Sequence, residues 1–192
     1  SRRAKVSVDA ARQNASFTFR RKLKPGRYTL ATRYSGRIGT QANGLFALDY
    51  PTAEGSRRAL FTQFENSDAR RFVPSWDEPF HKATFDLAVT APAGDMVVGN
   101  MPVASVEDLA DGRRKVVFQT TPRMSTYLLF LAIGEFDRIA MPSDGDVEIG
   151  VVAQRGKAEQ ALFALDATAD ILRAYDDYFG VAYPLPKLDN IA

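Results

Sequence analysis

Between Thr62 and Pro79 the chain reads Thr-Gln-Phe-Glu-Asn-Ser-Asp-Ala-Arg-Arg-Phe-Val-Pro-Ser-Trp-Asp-Glu-Pro, dense in carboxylates and guanidinium groups and holding the only Trp of the sequence. Charged residues at such density could form a catalytic array. The alternating signs of Asp68, Arg70, Arg71, Asp77 and Glu78 point instead to a local network of ion pairs and hydrogen bonds that fixes the shape of a loop. Trp76 is expected as the packed anchor of that loop.

Hydrolysis by a zinc centre needs three nitrogen or oxygen ligands and one open position, commonly His-Glu-x-x-His on a helix with a distant Glu. The sequence has one His and no Cys, which excludes that motif, a disulfide and a thiolate metal site. Glu78-Pro79-Phe80-His81 has the acid-to-His spacing of one metal motif, but Pro79 interrupts the helix which that motif requires. His81 is therefore read as a strand-entry residue, and no metal ligand is assigned. With no Gly-rich phosphate cradle, no Ser-x-x-Lys and no Gly-x-Ser-x-Gly, no catalytic residue is assigned either.

The elements that must position the loop are mostly strands. Residues 62–79 follow neither strand alternation nor a helical period, whereas Ala59 to Phe64 climbs into the loop as a strand. Asp68 to Phe72 fits a single helical turn capped by Ser67. From Lys82 to Thr90 the chain alternates again, with Phe85, Leu87 and Val89 on one face. Upstream, Ser16–Arg20 and Tyr28–Tyr34 about Pro25-Gly26 predict a hairpin, Leu45–Tyr50 a short strand, and Pro51–Arg58 a loop. Downstream, Asp111-Gly112 between two alternating runs is a strong hairpin cue. Tyr127–Ile133, apolar on both faces, reads as a strand buried between two layers, and Asp144-Gly145 as a turn into Val147–Val152. Seven to nine short strands make a mainly β protein, an antiparallel β-sandwich.

After Ala153 the period changes. Leu162, Leu165, Ala169, Leu172, Tyr175 and Phe179 give one apolar helix face from about Lys157 to Phe179, closed by Gly180 and barred from resuming by Pro184 and Pro186. Tyr175, Tyr178 and Phe179 are expected in the core, and Leu188–Ala192 as a strand start without a partner. At 192 residues with 45% hydrophobic and 25% charged residues, the chain has the composition of an ordinary globular protein with one sizeable core and the start of a second. Its net charge of +2 and scattered basic pairs (Arg2-Arg3, Arg20-Arg21, Arg113-Arg114) give no nucleic-acid footprint. No apolar run is long enough to span a bilayer.

Six separated blocks, in order, carry a resemblance. They are Thr62-Gln63-Phe64-Glu65 with Asp68-Ala69-Arg70-Arg71; Trp76-Asp77-Glu78-Pro79 with Lys82-Ala83-Thr84-Phe85; Gly99-Asn100-Met101-Pro102; Pro122 to Leu129; Gly134-Glu135-Phe136; and Tyr183 to Asp189. Together the chain resembles the gluzincin zinc aminopeptidases of the aminopeptidase N type, the family that includes leukotriene hydrolase. The resemblance implies a saddle-like N-terminal β-sandwich domain over residues 1–154, lacking its opening strands, and the first helix of the zinc-peptidase catalytic domain over residues 155–192. It also implies that a Gly-Ala-Met-Glu-Asn segment and the zinc helix follow Ala192, so that zinc belongs to the full-length parent and the isolated chain is inactive.

Two residues acquire roles by that resemblance. Glu65 corresponds to the acid that binds the free α-amine of a peptide substrate, and Gln63, two residues earlier in the same strand, to a residue lining the pocket for the first side chain. The implied partners are a peptide substrate and the protein's own catalytic domain, with self-association through the sheet edges that missing strands leave unpaired. The epoxide-hydrolase branch characteristically has Gln at the position of Glu65, so this sequence favours the peptidase. A stand-alone β-sandwich that binds without catalysis is the alternative of another class, and both periplasm and cytoplasm are open.

Overall fold

A computed structural model describes residues 2–143, 145 and 147–192. Its strands are β1 (Ala4–Asp9), β2 (Asn14–Phe19), β3 (Gly44–Thr52), β4 (Gly55–Gln63), β5 (Lys82–Ala83), β6 (Ala88–Pro92) and β7 (Met96–Gly99). There follow β8 (Val103–Asp108), β9 (Arg113–Phe118), β10 (Met124–Ser125), β11 (Leu131–Gly134), β12 (Phe136–Pro142), β13 (Glu148–Gln154) and β14 (Lys187–Ile191). Among the described residues the one α-helix, α1, spans Leu162–Phe179, and three 3₁₀ turns cover Ala69–Arg71, Thr126–Leu128 and Ala158–Ala161. The chain is mainly β, as the sequence predicts, with more strands among the described residues than the seven to nine expected.

Strand alternation explains how the sheets stack. In the central sheet, ordered β3-β4-β11-β7, successive residues face opposite ways. Val97 and Leu131 pack with Ala91, Val116 and Phe118 of the β6-β9-β8 sheet. Their neighbours Val98 and Ala132, with Ala59, pack on the other side with Phe136 and Val152 of the β12-β13-β14 sheet. The same rule turns Ile149 and Val151 of β13 to the far face, where Leu165 and Leu172 of α1 cover them. The result is three sheets and a helix in sequence.

Pairing is antiparallel except between β13 and β14, which run parallel with α1 as their crossover. The segment 188–192, expected to lack a partner, therefore has one, since β14 pairs with β13 from Glu148↔Lys187 to Val152↔Ile191. A charged cluster stitches this edge: the Arg138 guanidinium bonds both Asp189 and Glu148, and Lys187 Nζ donates to Asp189 at 2.6 Å.

Several local expectations change for identifiable reasons. The hairpin forms between β1 and β2, from Ala4↔Phe19 to Asp9↔Asn14, and not across Pro25-Gly26. Tyr28–Tyr34 pairs with no strand, and the Tyr28 hydroxyl turns back to the Lys24 carbonyl. Pro51–Arg58 is no loop but the tip of a tight hairpin, with Thr52↔Gly55 as its last pair and Gly55 at φ 119°. The residue before the turn at Ala69–Arg71 is Asp68 rather than Ser67, and it makes no side-chain cap, because its carboxylate accepts from Arg71 instead. Tyr127–Ile133 divides into a 3₁₀ turn and β11. The Asp144-Gly145 turn falls partly outside the described residues, at Asp144. Phe85, Leu87 and Val89 keep their half-buried alternation even though the strand is interrupted between β5 and β6. Asp111-Gly112 makes the β8–β9 turn with Gly112 at φ 79°, and Gly180 ends α1 in the left-handed region at φ 63°. Among the described residues no helix is long and apolar enough to cross a membrane.

Candidate functional site

The loop of residues 62–81 hangs from the end of β4. Thr62 is buried and its hydroxyl both accepts from the Leu131 amide at 2.8 Å and donates to the Leu131 carbonyl at 3.3 Å, so β4 is fixed to β11 at the point where the loop departs. Phe64, the next inward residue, is buried among Ala69, Met124 and Leu129, with its ring 5.4 Å from that of Phe72. Gln63 is exposed by the alternation of β4, which ends there; Glu65, expected in the same strand, lies in the turn that follows and is exposed as well. Among the described residues, neither side chain takes part in a hydrogen bond or ion pair.

The other charges of the loop are engaged. Asp77 is buried and accepts from the Thr126 hydroxyl at 2.6 Å, the Arg70 amide at 2.9 Å and Arg70 Nε at 3.1 Å. Arg70 Nη2 also donates to the Asp77 carbonyl at 2.8 Å, closing the loop on itself. Burial works to raise the Asp77 pKa, but the hydrogen bonds from Thr126 and Arg70 outweigh it and hold the carboxyl below its ordinary range. Arg71 Nε donates to Asp68 at 2.6 Å, and its stem lies against Gly44, where a Cβ would come within 2.9 Å of Arg71 Cβ. Gly44 has φ 68°, so both backbone and space require glycine there. On the far side the Ser125 hydroxyl donates to the Pro79 carbonyl, and β5 pairs with β10.

The network expected of Asp68, Arg70, Arg71 and Asp77 is thus present; among the described residues, Glu78 joins neither pair. Trp76 is not a packed anchor. It is 77% exposed, because Asp77 takes the inward position and its neighbour in sequence must face out. Phe80 is also exposed and meets only the edge of His81, at 5.6 Å. Thr126 is the residue missed in the sequence, since a Thr within an apolar run carries no signal of a partner that lies 49 positions away.

Residues 1–128, which contain this loop and its Thr126 tether, match the Peptidase M1 N-terminal domain. The chain belongs to the M1 peptidase family. Its M1 relatives include an aminopeptidase N of Acetobacter pasteurianus, 44% identical over 191 residues, which are 99% of this chain and 54% of that protein. Aminopeptidase M1-D of Oryza sativa subsp. japonica is 37% identical over 98% of this chain and 22% of its own length. Endoplasmic reticulum aminopeptidase 1 of Homo sapiens is 36% identical over 86% of the chain and 18% of its own length. The chain therefore spans about half the length of the bacterial relative and about a fifth of the others.

Proposed function

We propose that this chain is the N-terminal region of a zinc aminopeptidase that removes residues from the amino end of peptides, with residues 155–192 opening the catalytic domain. Within it Glu65 binds the substrate α-ammonium and Gln63 lines the pocket for the first side chain. The observation that carries the reading is a contrast between acids of one loop: Asp68 and Asp77 are bound to Arg71 and to Arg70 and Thr126, whereas Glu65 and Glu78 are exposed and unengaged, and of these two Glu65 is the one that lies at the end of β4, two residues beyond Gln63. A carboxylate held on a rigid base and left free is suited to an incoming cation. Once the cleft is closed around it, an ammonium there forms charge-assisted hydrogen bonds and fixes where the first peptide bond lies.

Among the described residues no three His, Cys, Asp or Glu side chains converge to hold a metal ion, and the zinc ligands are assigned, as part of the same proposal, to the rest of the parent. Unpaired sheet edges, such as that of β8, are where the chain self-associates.

The direct test is Glu65→Gln in the full-length parent. Loss of a hydrogen bond to a charged group, about 1.5–3 kcal/mol, lowers kcat/KM for an unblocked peptide roughly ten- to hundredfold. A value within about twofold of wild type overturns the assignment.

A further inference from the structure

The central sheet ends at β7 and the β12-β13-β14 sheet ends at β14, and near these two edges the layers stand apart. They leave a cleft of about 480 Å³, within the roughly 300–1,000 Å³ of small-molecule sites. One wall is apolar, built from Met96 of β7, Met101, Pro102, Val103 of β8 and Phe118 of β9. The other carries Arg138, Glu148, Lys187 and Asp189. These charges meet because Gly150 of β13, paired with Asp189 of β14, has no side chain; a Cβ there would take the place where Asp189 Oδ1 and the Arg138 guanidinium join.

The buried part of this cluster has more donors than acceptors. Asp189, its side chain 5% exposed, accepts from Arg138 Nε at 2.9 Å, Arg138 Nη2 at 2.8 Å and Lys187 Nζ at 2.6 Å, so both its oxygens are engaged. An ammonium carries three N–H donors, and Lys187, 12% exposed, gives one of them to Asp189. Among the described residues the others have no acceptor, and neither has Arg138 Nη1. Glu148 answers Arg138 Nη2 at 2.6 Å but stands at the rim, 55% exposed. Inside the rim two cations face one carboxylate, and buried charge is costly until it is paired and hydrogen-bonded.

A largely apolar cleft with a few converging polar donors at one side is the pattern of a ligand site. We propose that it binds a carboxylate carried on an apolar chain. The carboxylate joins Lys187 and Arg138 through charge-assisted hydrogen bonds, and the chain lies along Met96, Met101, Val103 and Phe118. Glu148 competes with the ligand for Arg138 and so limits its affinity. None of these residues belongs to the loop of residues 62–81, and the proposal does not depend on the peptidase reading.

Isothermal titration calorimetry of the full-length parent tests it at neutral pH. Decanoate represents a free acid, N-acetyl-Val-Leu the carboxyl end of an apolar peptide, and decanol an apolar chain without the charge. The expected result is saturable binding of at least one of the two acids, the one that binds identifying the source, with decanol at least about tenfold weaker. Lys187→Met keeps the stem and loses the ammonium, and should weaken the acid at least about tenfold; this also separates the cleft from any other site in the protein. Glu148→Gln, on the exposed rim, should tighten binding by roughly threefold or more, and its sign decides even if Lys187→Met does not fold. Absence of saturable heat with both acids, decanol binding as tightly as the acid, unchanged affinity in folded Lys187→Met, or no gain from Glu148→Gln overturns the proposal.

Discussion

Replacing Asp77 by alanine strikes the hydrogen-bonded centre of the signature loop. The carboxylate accepts from Thr126 Oγ1, the Arg70 amide and Arg70 Nε, and its removal leaves all three donors without their acceptor in a closed site. Breaking a buried ion pair from one side costs about 3–5 kcal/mol. The lower end applies, because the Arg70 side chain is 30% exposed and can be partly rehydrated, and its Nη2 bond to the Asp77 carbonyl survives. The expected loss is therefore about 3 kcal/mol, a large share of the ~5–15 kcal/mol that holds a domain folded. Urea denaturation followed by circular dichroism measures it. Asp77→Asn tests the charge separately. A carboxyl whose folded pKa is depressed stabilises above its unfolded value of about 3.9, and that contribution disappears as pH falls through the folded value. The gap between wild type and Asp77→Asn should be full at neutral pH and close on acidification below about pH 4. A cost under about 1 kcal/mol for Asp77→Ala, or a gap independent of pH, would refute the reasoning.

Gly150→Ala should cost more than about 2 kcal/mol by chemical denaturation, because a Cβ there falls on Asp189 Oδ1 and within 2.7 Å of Arg138 Nη2; a neutral effect would mean that the β12-β13-β14 edge is loosely built. Asp95→Asn should stabilise the chain at neutral pH by up to about 1 kcal/mol. Burial and then the Glu135 charge raise the Asp95 pKa, so the ionised form destabilises; the gain should vanish below the ordinary carboxylate range, and a loss at pH 7 would contradict this. Sedimentation velocity should show concentration-dependent association weakened by Val106→Lys on the exposed edge strand β8, and a clean monomer at high concentration would remove the edge as an interface.

What could be read in the sequence was what neighbours in sequence decide. Phe85, Leu87 and Val89 alternate because a pleated chain turns every second side chain inward, and Gly112 and Gly180 occupy backbone conformations that glycine adopts without strain. The local charge network of the loop was legible for the same reason, since Arg70 and Asp77 are close along the chain. Distant partners were not. Residues 28–34 alternate as well as any strand, but no strand pairs with them, whereas the less aromatic segment Ala4–Asp9 has β2 beside it. Nothing within Lys187–Ile191 reveals that β13 lies parallel to it. Trp76 and the aromatic end of α1 show the limit of hydrophobicity as a guide to burial, since an apolar side chain is buried only where another layer reaches it. For the site, alternation suggested that Gln63 and Glu65 share one face of a strand, but β4 ends at Gln63 and Glu65 stands in the turn beyond it; their proposed roles come from resemblance.

The central claim is that Glu65 meets the substrate's ammonium, and a kinetic double cycle in the full-length parent tests it most directly. Wild type and Glu65→Gln are each assayed with an amine-bearing peptide substrate and with its counterpart lacking the amine. The account predicts a loss in kcat/KM of roughly ten- to hundredfold for the first, visible in kcat as well as KM because a loosely held ammonium misplaces the scissile bond. It predicts a much smaller loss for the second, which never makes the contact being deleted. Equal losses for both substrates would contradict the account and leave Glu65 a structural acid of its loop.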